Sequence, residues 1–299
     1  GNGGAIYAQI KSGTSGGLSI TGTTKTTFTS CQALPTDSGL GGAIYLDLAS
    51  GTETKFDLTG ASYSTGNNAL YGKSLFINAQ GDLQVAVPLN QGSKIGAGLD
   101  SYEYANLDNL MGYDNFDEIQ SDEISLYFAY SLPLDVCHIK YPFLDEQGDD
   151  NRFCGHFYQP CLTLDYALLQ NGAVPEEKKV GIINFYVLNS LIAIDLIEGQ
   201  VKIQNSLNNQ GETTNIQSEL LIEEDGKFSI ISGSLLFDKI TFKINANAQE
   251  GYLLTASSES IEIEISNCFI RMASDTTGYS ISTGLAQLNG GQLTISNLD

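Results

Sequence analysis

Gly3-Gly4-Ala5-Ile6-Tyr7 returns as Gly41-Gly42-Ala43-Ile44-Tyr45, and a third, altered copy reads Gly72-Lys73-Ser74-Leu75-Phe76. Recurrence over a few tens of residues is the mark of a stacked repeat architecture. The surroundings recur as well. Phe28-Thr29-Ser30-Cys31 precedes the second copy and Phe56-Asp57-Leu58-Thr59 the third, with Gly39-Leu40 or Asn67-Asn68 between. Each unit reads strand, turn, strand, because Gly and Asn accept the positive φ angles that tight corners need. No segment carries a long helical period. The fold class expected is therefore all-β, a parallel β-helix (solenoid) in which each turn buries its apolar side against the next.

Composition narrows the function. Of 299 residues 41% are apolar, which argues against disorder, and 35 acidic against 14 basic residues leave a formal net charge of -21. So negative a chain repels phosphate backbones and anionic lipid, which argues against nucleic acid and membrane-surface partners. No run of 18 or more apolar residues occurs, so no membrane insertion is expected. The opening residues have no basic region followed by an apolar core, so no signal peptide is read there. No Asn-x-Ser/Thr sequon occurs, so no N-glycan is expected at one.

Three of the five cysteines, Cys137, Cys154 and Cys161, cluster in one segment and are the structural disulfide candidates, with buried free thiols and a metal site as the alternatives. His138 and His156 lie beside them, but the spacings match no zinc motif, so no metal and no cofactor is assigned. Cys31 and Cys268 end strand-like runs, Phe28 to Cys31 and Ile265 to Cys268.

Three regions follow. Residues 1–136 read as the C-terminal-type half of a β-helix, with the repeats running to about residue 98 through a last strand at Leu83 to Val87. Its end is acidic: from Lys94 to Lys140 no Lys or Arg intervenes, while Asp100, Glu103, Asp108, Asp114, Asp117, Glu118, Asp122, Glu123 and Asp135 accumulate. Without the Asp-x-Asp-x-Asp-Gly spacing of a calcium loop, the stretch reads as a solvated face. Residues 137–180 form a Cys-containing loop and a short capping helix, in which Thr163 to Gln170 puts Leu164, Ala167 and Leu168 on one face and Asn171-Gly172 stops it. Residues 181–299 form a second β-helix half, with strands expected at 182–188, 190–197, 200–203, 220–222, 227–231, 235–244, 252–256, 261–270 and 292–295. Residues 292–299 supply what precedes the repeated phrase elsewhere, so the second half is expected to continue into residues 1–98 of a next unit.

The Gly-Gly-Ala-Ile phrases with their Phe-x-x-Cys element resemble the polymorphic membrane protein repeats of bacterial surface adhesins. Cys154-Gly155-His156-Phe157-Tyr158-Gln159-Pro160-Cys161-Leu162-Thr163-Leu164-Asp165-Tyr166-Ala167 is similar to the opening of parallel β-helix repeats in very large secreted or surface proteins of protists. The two resemblances imply a right-handed parallel β-helix, extracellular or at the cell surface, structural or adhesive, with no catalytic motif to carry over.

The expected function is an extracellular structural protein, one repeat or subunit of a head-to-tail β-helical filament or surface fibre, with copies of itself as partner. One alternative is a cell-surface adhesin that binds glycans or host surfaces through tyrosines, which otherwise form internal ladders. The other is a polysaccharide lyase or hydrolase, a class that shares the fold. Arg152 and Arg271 stand outside any recognisable constellation, and neither His138 nor His156 fits a Ser- or Cys-based triad, so no catalytic residue is assigned.

Overall fold

The computed structural model describes residues 1–35, 37–97, 106–116, 121–131, 136–142, 148–170, 177–207, 217–248, 250–273 and 283–298. Asp100, Glu103, Asp117, Glu118, Asp135 and the Asn171-Gly172 stop lie outside the described residues. Strand is the main regular structure of the described residues, and the named strands pair in parallel with one antiparallel exception. It divides into two compact units, residues 1–132 and 133–299. The Cys-containing segment, expected as a region of its own, belongs to the second unit.

In the first unit β1 (Ile6–Ile10), β4 (Ile44–Leu48), β7 (Leu75–Ala79) and β8 (Leu110–Asp114) are parallel neighbours. Ile6 pairs with Ile44, Ile44 with Leu75 and Leu75 with Leu110, so the three copies of the phrase lie in register. The glycines of the phrase have separate causes. Gly3, Gly41 and Gly72 hold φ angles of 70°, 66° and 61°, a region that side chains disfavour. At Gly42 the obstacle is space, because a Cβ there would lie 1.9 Å from the Lys73 carbonyl oxygen.

Two ladders run across these strands. Tyr7 stacks on Tyr45 at 5.4 Å and Tyr45 on Phe76 at 6.0 Å, while Tyr113 meets Phe76 edge-on at 4.8 Å. Beside them the buried Asp47 carboxylate accepts from Gln9 Nε2 (2.8 Å), Asn78 Nδ2 (3.1 Å) and Gln80 Nε2 (2.8 Å).

A second pair of short strands, β3 (Thr26–Phe28) and β6 (Ala61–Tyr63), corrects the repeat alignment. Phe28 pairs with Tyr63, not Phe56, which pairs with Leu18 across β2 (Leu18–Ser19) and β5 (Phe56–Asp57). The counterpart of Cys31 is then Asn67, whose Oδ1 accepts from the Cys31 N–H at 2.9 Å. Its Nδ2 donates to the Phe28 carbonyl at 3.2 Å and to Ser74 Oγ at 3.0 Å, so one buried amide holds the corner of two tiers.

Leu83 to Val87, expected as a strand, is instead α1 (Leu83–Ala86), where the Asp82 side chain accepts from the N–H groups of Gln84 and Val85. The Asp114 carboxylate accepts from Leu83 N at 2.9 Å and ties the helix to β8.

The second unit has three runs of parallel strands. β12 (Phe185–Leu188), β14 (Ser218–Ile222), β16 (Ile240–Ile244) and β19 (Phe269–Met272) form one. The others share two long strands, β13 (Leu191–Asn205) and β15 (Lys227–Asp238), which bend where their register shifts between Ile194 and Gln200. Gly233 takes φ 80° at that bend. Ahead of it β15 pairs with β17 (Gly251–Ala256), and beyond it with β18 (Glu262–Ser266). β20 (Thr283–Leu288) pairs with β17 and β21 (Gln292–Ser296) with β18.

The core between the runs is apolar and centred on Phe228, Phe237 and Phe242, with ring centres 5.3 and 5.0 Å apart. Several runs expected as single strands are divided. Asn184, Lys239 and Asn267 take positive φ at 62°, 59° and 54°, and each turns the chain from one strand into the next. Conversely, 190–197 and 200–203 are one bent strand, and β20 had no alternating apolar signal to announce it.

Candidate functional site

The residues singled out as disulfide candidates come together at the start of the second unit. Here β10 (Cys137–Ile139) pairs with β11 (Glu177–Ile182), as Cys137 with Val180 and Ile139 with Ile182. Cys154 and Cys161 are bonded to each other, closing a loop seven residues apart in sequence, while Cys137 is a buried free thiol 3.8 Å from the Cys161 sulfur. Burial, and then the Asp150 charge, push the Cys137 thiol up to about 12. Asp150 and the two bonded sulfurs lie within 4.8 Å of one another, but the donor set is already used. The sulfurs are committed to the disulfide, and the carboxylate accepts from the N–H groups of Leu162 and Thr163 and from Thr163 Oγ1.

The same loop occupies the outer edge of β10. His138 N donates to the Gly155 carbonyl at 2.8 Å, Cys161 N to the His138 carbonyl at 2.9 Å, and Lys140 N to the Cys161 carbonyl at 3.0 Å. The His138 ring faces the Gly155 carbonyl through Nδ1 at 3.1 Å, and Nε2 accepts from Leu207 N at 3.2 Å. That pattern requires a neutral imidazole protonated at Nδ1. Burial accordingly holds its pKa below the ordinary value. The helix α2 announced by its apolar spacing spans Leu164–Gln170, with Thr163 Oγ1 accepting from Tyr166 N at 3.2 Å, and it buries Leu164 and Ala167. Arg152 and Arg271 lie over the rings of Phe153 and Phe269, at 4.9 and 5.6 Å.

The first unit is covered at its other end. β9 (Ile124–Ser125) runs antiparallel to β8, which ends parallel pairing, and a helix over Leu126–Tyr130 buries Leu126, Phe128, Ala129 and Tyr130. This covered end falls in the acidic stretch, where composition alone gave no sign of it.

The opposite edges are bare among the described residues. β1 pairs only with β4, and β20 and β21 each have a single partner. Tyr7 and Tyr45 are the same position of the same phrase, yet Tyr7 is 55% exposed and Tyr45 7%. Ile295 is 45% exposed, whereas its register partner Ile265 is fully buried. The differences arise because no strand among the described residues lies beyond β1 or β21. Corner geometry is alike at both edges: Ser30 (φ 52°) and Gly66 (φ 91°) adjoin each other in one unit. In the other, Asn267 and Asn297 (φ 54° and 52°) are joined by Asn297 Nδ2 donating to Asn267 Oδ1 at 3.0 Å.

Comparison of the chain with protein-family models, with curated proteins and with solved structures returned no match.

Proposed function

We propose that this protein is a structural component of an extracellular or cell-surface fibre. In this reading it is a right-handed parallel β-helix whose bare edge at β20 and β21 stacks on β1, β2 and β3 of the next copy. The observation that carries the proposal is the matched pair of exposures, Tyr7 against Tyr45 and Ile295 against Ile265. An unpaired strand edge with apolar side chains above a parallel core is a template for another strand. Pairing unlike edges gives a heterologous contact that does not close on itself and so propagates.

Two further features support it. The edges that face the other way are already occupied, one by an antiparallel strand and helix, the other by the disulfide loop and α2. The Asn297 corner continues the geometry of the Ser30 corner, so Ile295-Ser296-Asn297 stacks beneath Phe28-Thr29-Ser30 without a change of backbone conformation. The resemblance of the repeated phrase and of the Cys154 to Ala167 segment to β-helical surface proteins points the same way.

The test is negative-stain microscopy beside sedimentation of the native protein at low and raised salt. Filaments, more abundant at raised salt because the net charge of -21 opposes association, are expected. Dispersed monomers under both conditions would sink the proposal.

A further inference from the structure

We infer that the outward face of β13, β15, β17 and β20 carries a binding groove for an uncharged sugar chain, independent of any assembly at the strand edges. A cavity of about 320 Å³ lies open on this face. Sites for small ligands begin at about 300 Å³.

Its floor is a row of polar side chains on neighbouring strands. Ser229 pairs with Thr255 and Thr255 with Gln287, so two hydroxyls and an amide point outward at steps of about 4.8 Å. The Thr255 hydroxyl donates to the Phe228 carbonyl at 3.3 Å and so offers an acceptor, while Ser229 and Gln287 can both donate and accept, which suits the mixed demands of sugar hydroxyls.

One aromatic ring stands beside the row. Most described tyrosines of the chain pack against other rings, but Tyr252 is 43% exposed in the groove, and its register partner is Gly284. A Cβ on Gly284 would lie 2.7 Å from Tyr252 Cδ1 and 2.8 Å from Cε1, so the ring rests on bare backbone. The glycine makes room for the ring, which leaves an apolar surface with a hydroxyl at its tip available to the C–H face of a sugar.

Charge selects among sugars. Glu224, Asp225 and Glu250 line the groove, against Lys227 as the one cation among its described lining residues. The excess of carboxylates repels uronates and sulfated sugars, while neutral hydroxyls gain charge-assisted hydrogen bonds.

The experiment is saturation-transfer NMR followed by titration with chitotriose, cellotriose and maltotriose, and with trigalacturonate as the acidic control. At least one neutral trisaccharide binds, Tyr252→Ala weakens it by about tenfold, Tyr252→Phe retains it, and Tyr158→Ala, at an exposed tyrosine outside the groove, leaves it unchanged. Absence of binding by all three neutral sugars, tighter binding of trigalacturonate, or a Tyr252→Ala protein that binds as wild type would overturn the inference. Circular dichroism of each variant separates lost binding from lost fold.

Discussion

Cys137, Cys31 and Cys268 carry the same thiol in three surroundings. Cys31 is half-buried, while Cys137 and Cys268 are sealed in the core. Only a thiolate attacks a disulfide, and burial keeps the Cys137 thiol protonated beside the Cys161 sulfur. In the folded protein at mildly alkaline pH, iodoacetamide therefore labels Cys31, and Cys137 only after denaturant is added. Peptide mapping by mass spectrometry reads the order, and Cys137 labelled first would contradict it. His138 gives a pH prediction. Its folded-state pKa lies below the ordinary value of about 6.5, so the unfolded chain binds the proton more readily. The stabilisation is complete above that value and is lost as pH falls from it toward the depressed one. Urea midpoints of wild type and His138→Gln should converge as pH is lowered through this window, and a constant gap would refute the assignment.

The parallel sheet of the first unit depends on a buried carboxylate and on a crowded glycine. Asp47 gathers three amide donors, Gln9 from β1 and Asn78 and Gln80 in and just after β7, so Asp47→Ala leaves them without their shared acceptor. A loss of about 3 kcal/mol is expected, since a hydrogen bond to a charged group contributes a net of about 1.5–3 kcal/mol and the three share one acceptor. Urea unfolding of the variant measures it. Gly42 is the crowded glycine. Its absent Cβ lets the Lys73 carbonyl approach, and a backbone atom in the turn leading into β7 cannot swing aside as a side chain can. Gly42→Ala should cost about 3 kcal/mol, whereas Gly51→Ala, where a Cβ meets nothing but φ is 82°, should cost about 1 kcal/mol. Equal midpoints for the two variants would show that crowding at Gly42 is relieved elsewhere.

For the whole molecule the decisive feature is the difference between covered and bare edges. Ile295→Lys puts a charge on the bare edge at a position that is already 45% exposed, so the fold is retained. On the fibre proposal the wild type forms filaments at raised salt, and the variant is expected to remain monomeric there, as sedimentation velocity would report. Filaments of unchanged length in the variant would place the growing contact elsewhere than β21.

Reading outward from the repeated phrase reached the β class, the parallel stacking of three copies, the helix after Thr163 and the cysteine cluster, because each is written in local pattern: repetition, apolar spacing, proximity in sequence. The pairing of Cys154 with Cys161 was one of several open choices, settled by the loop returning along β10. Local pattern also misled. Phe56 matched Phe28 by identity, but Tyr63 is its partner, since register depends on the number of residues each connection consumes. Leu83 to Val87 alternates like a strand, yet Asp82 and Asp114 offer acceptors to its N–H groups and make it a helix. Nothing in residues 100–136 announced an antiparallel end. The groove at Tyr252 was illegible for the same reason, because Ser229, Thr255 and Gln287 lie far apart in the chain and meet only through the pairing of parallel strands. The chain's own pattern determined which segments become strands and that they stack; the tertiary structure alone decided which edges stay bare, because exposure depends on the neighbouring strand and not on the residue.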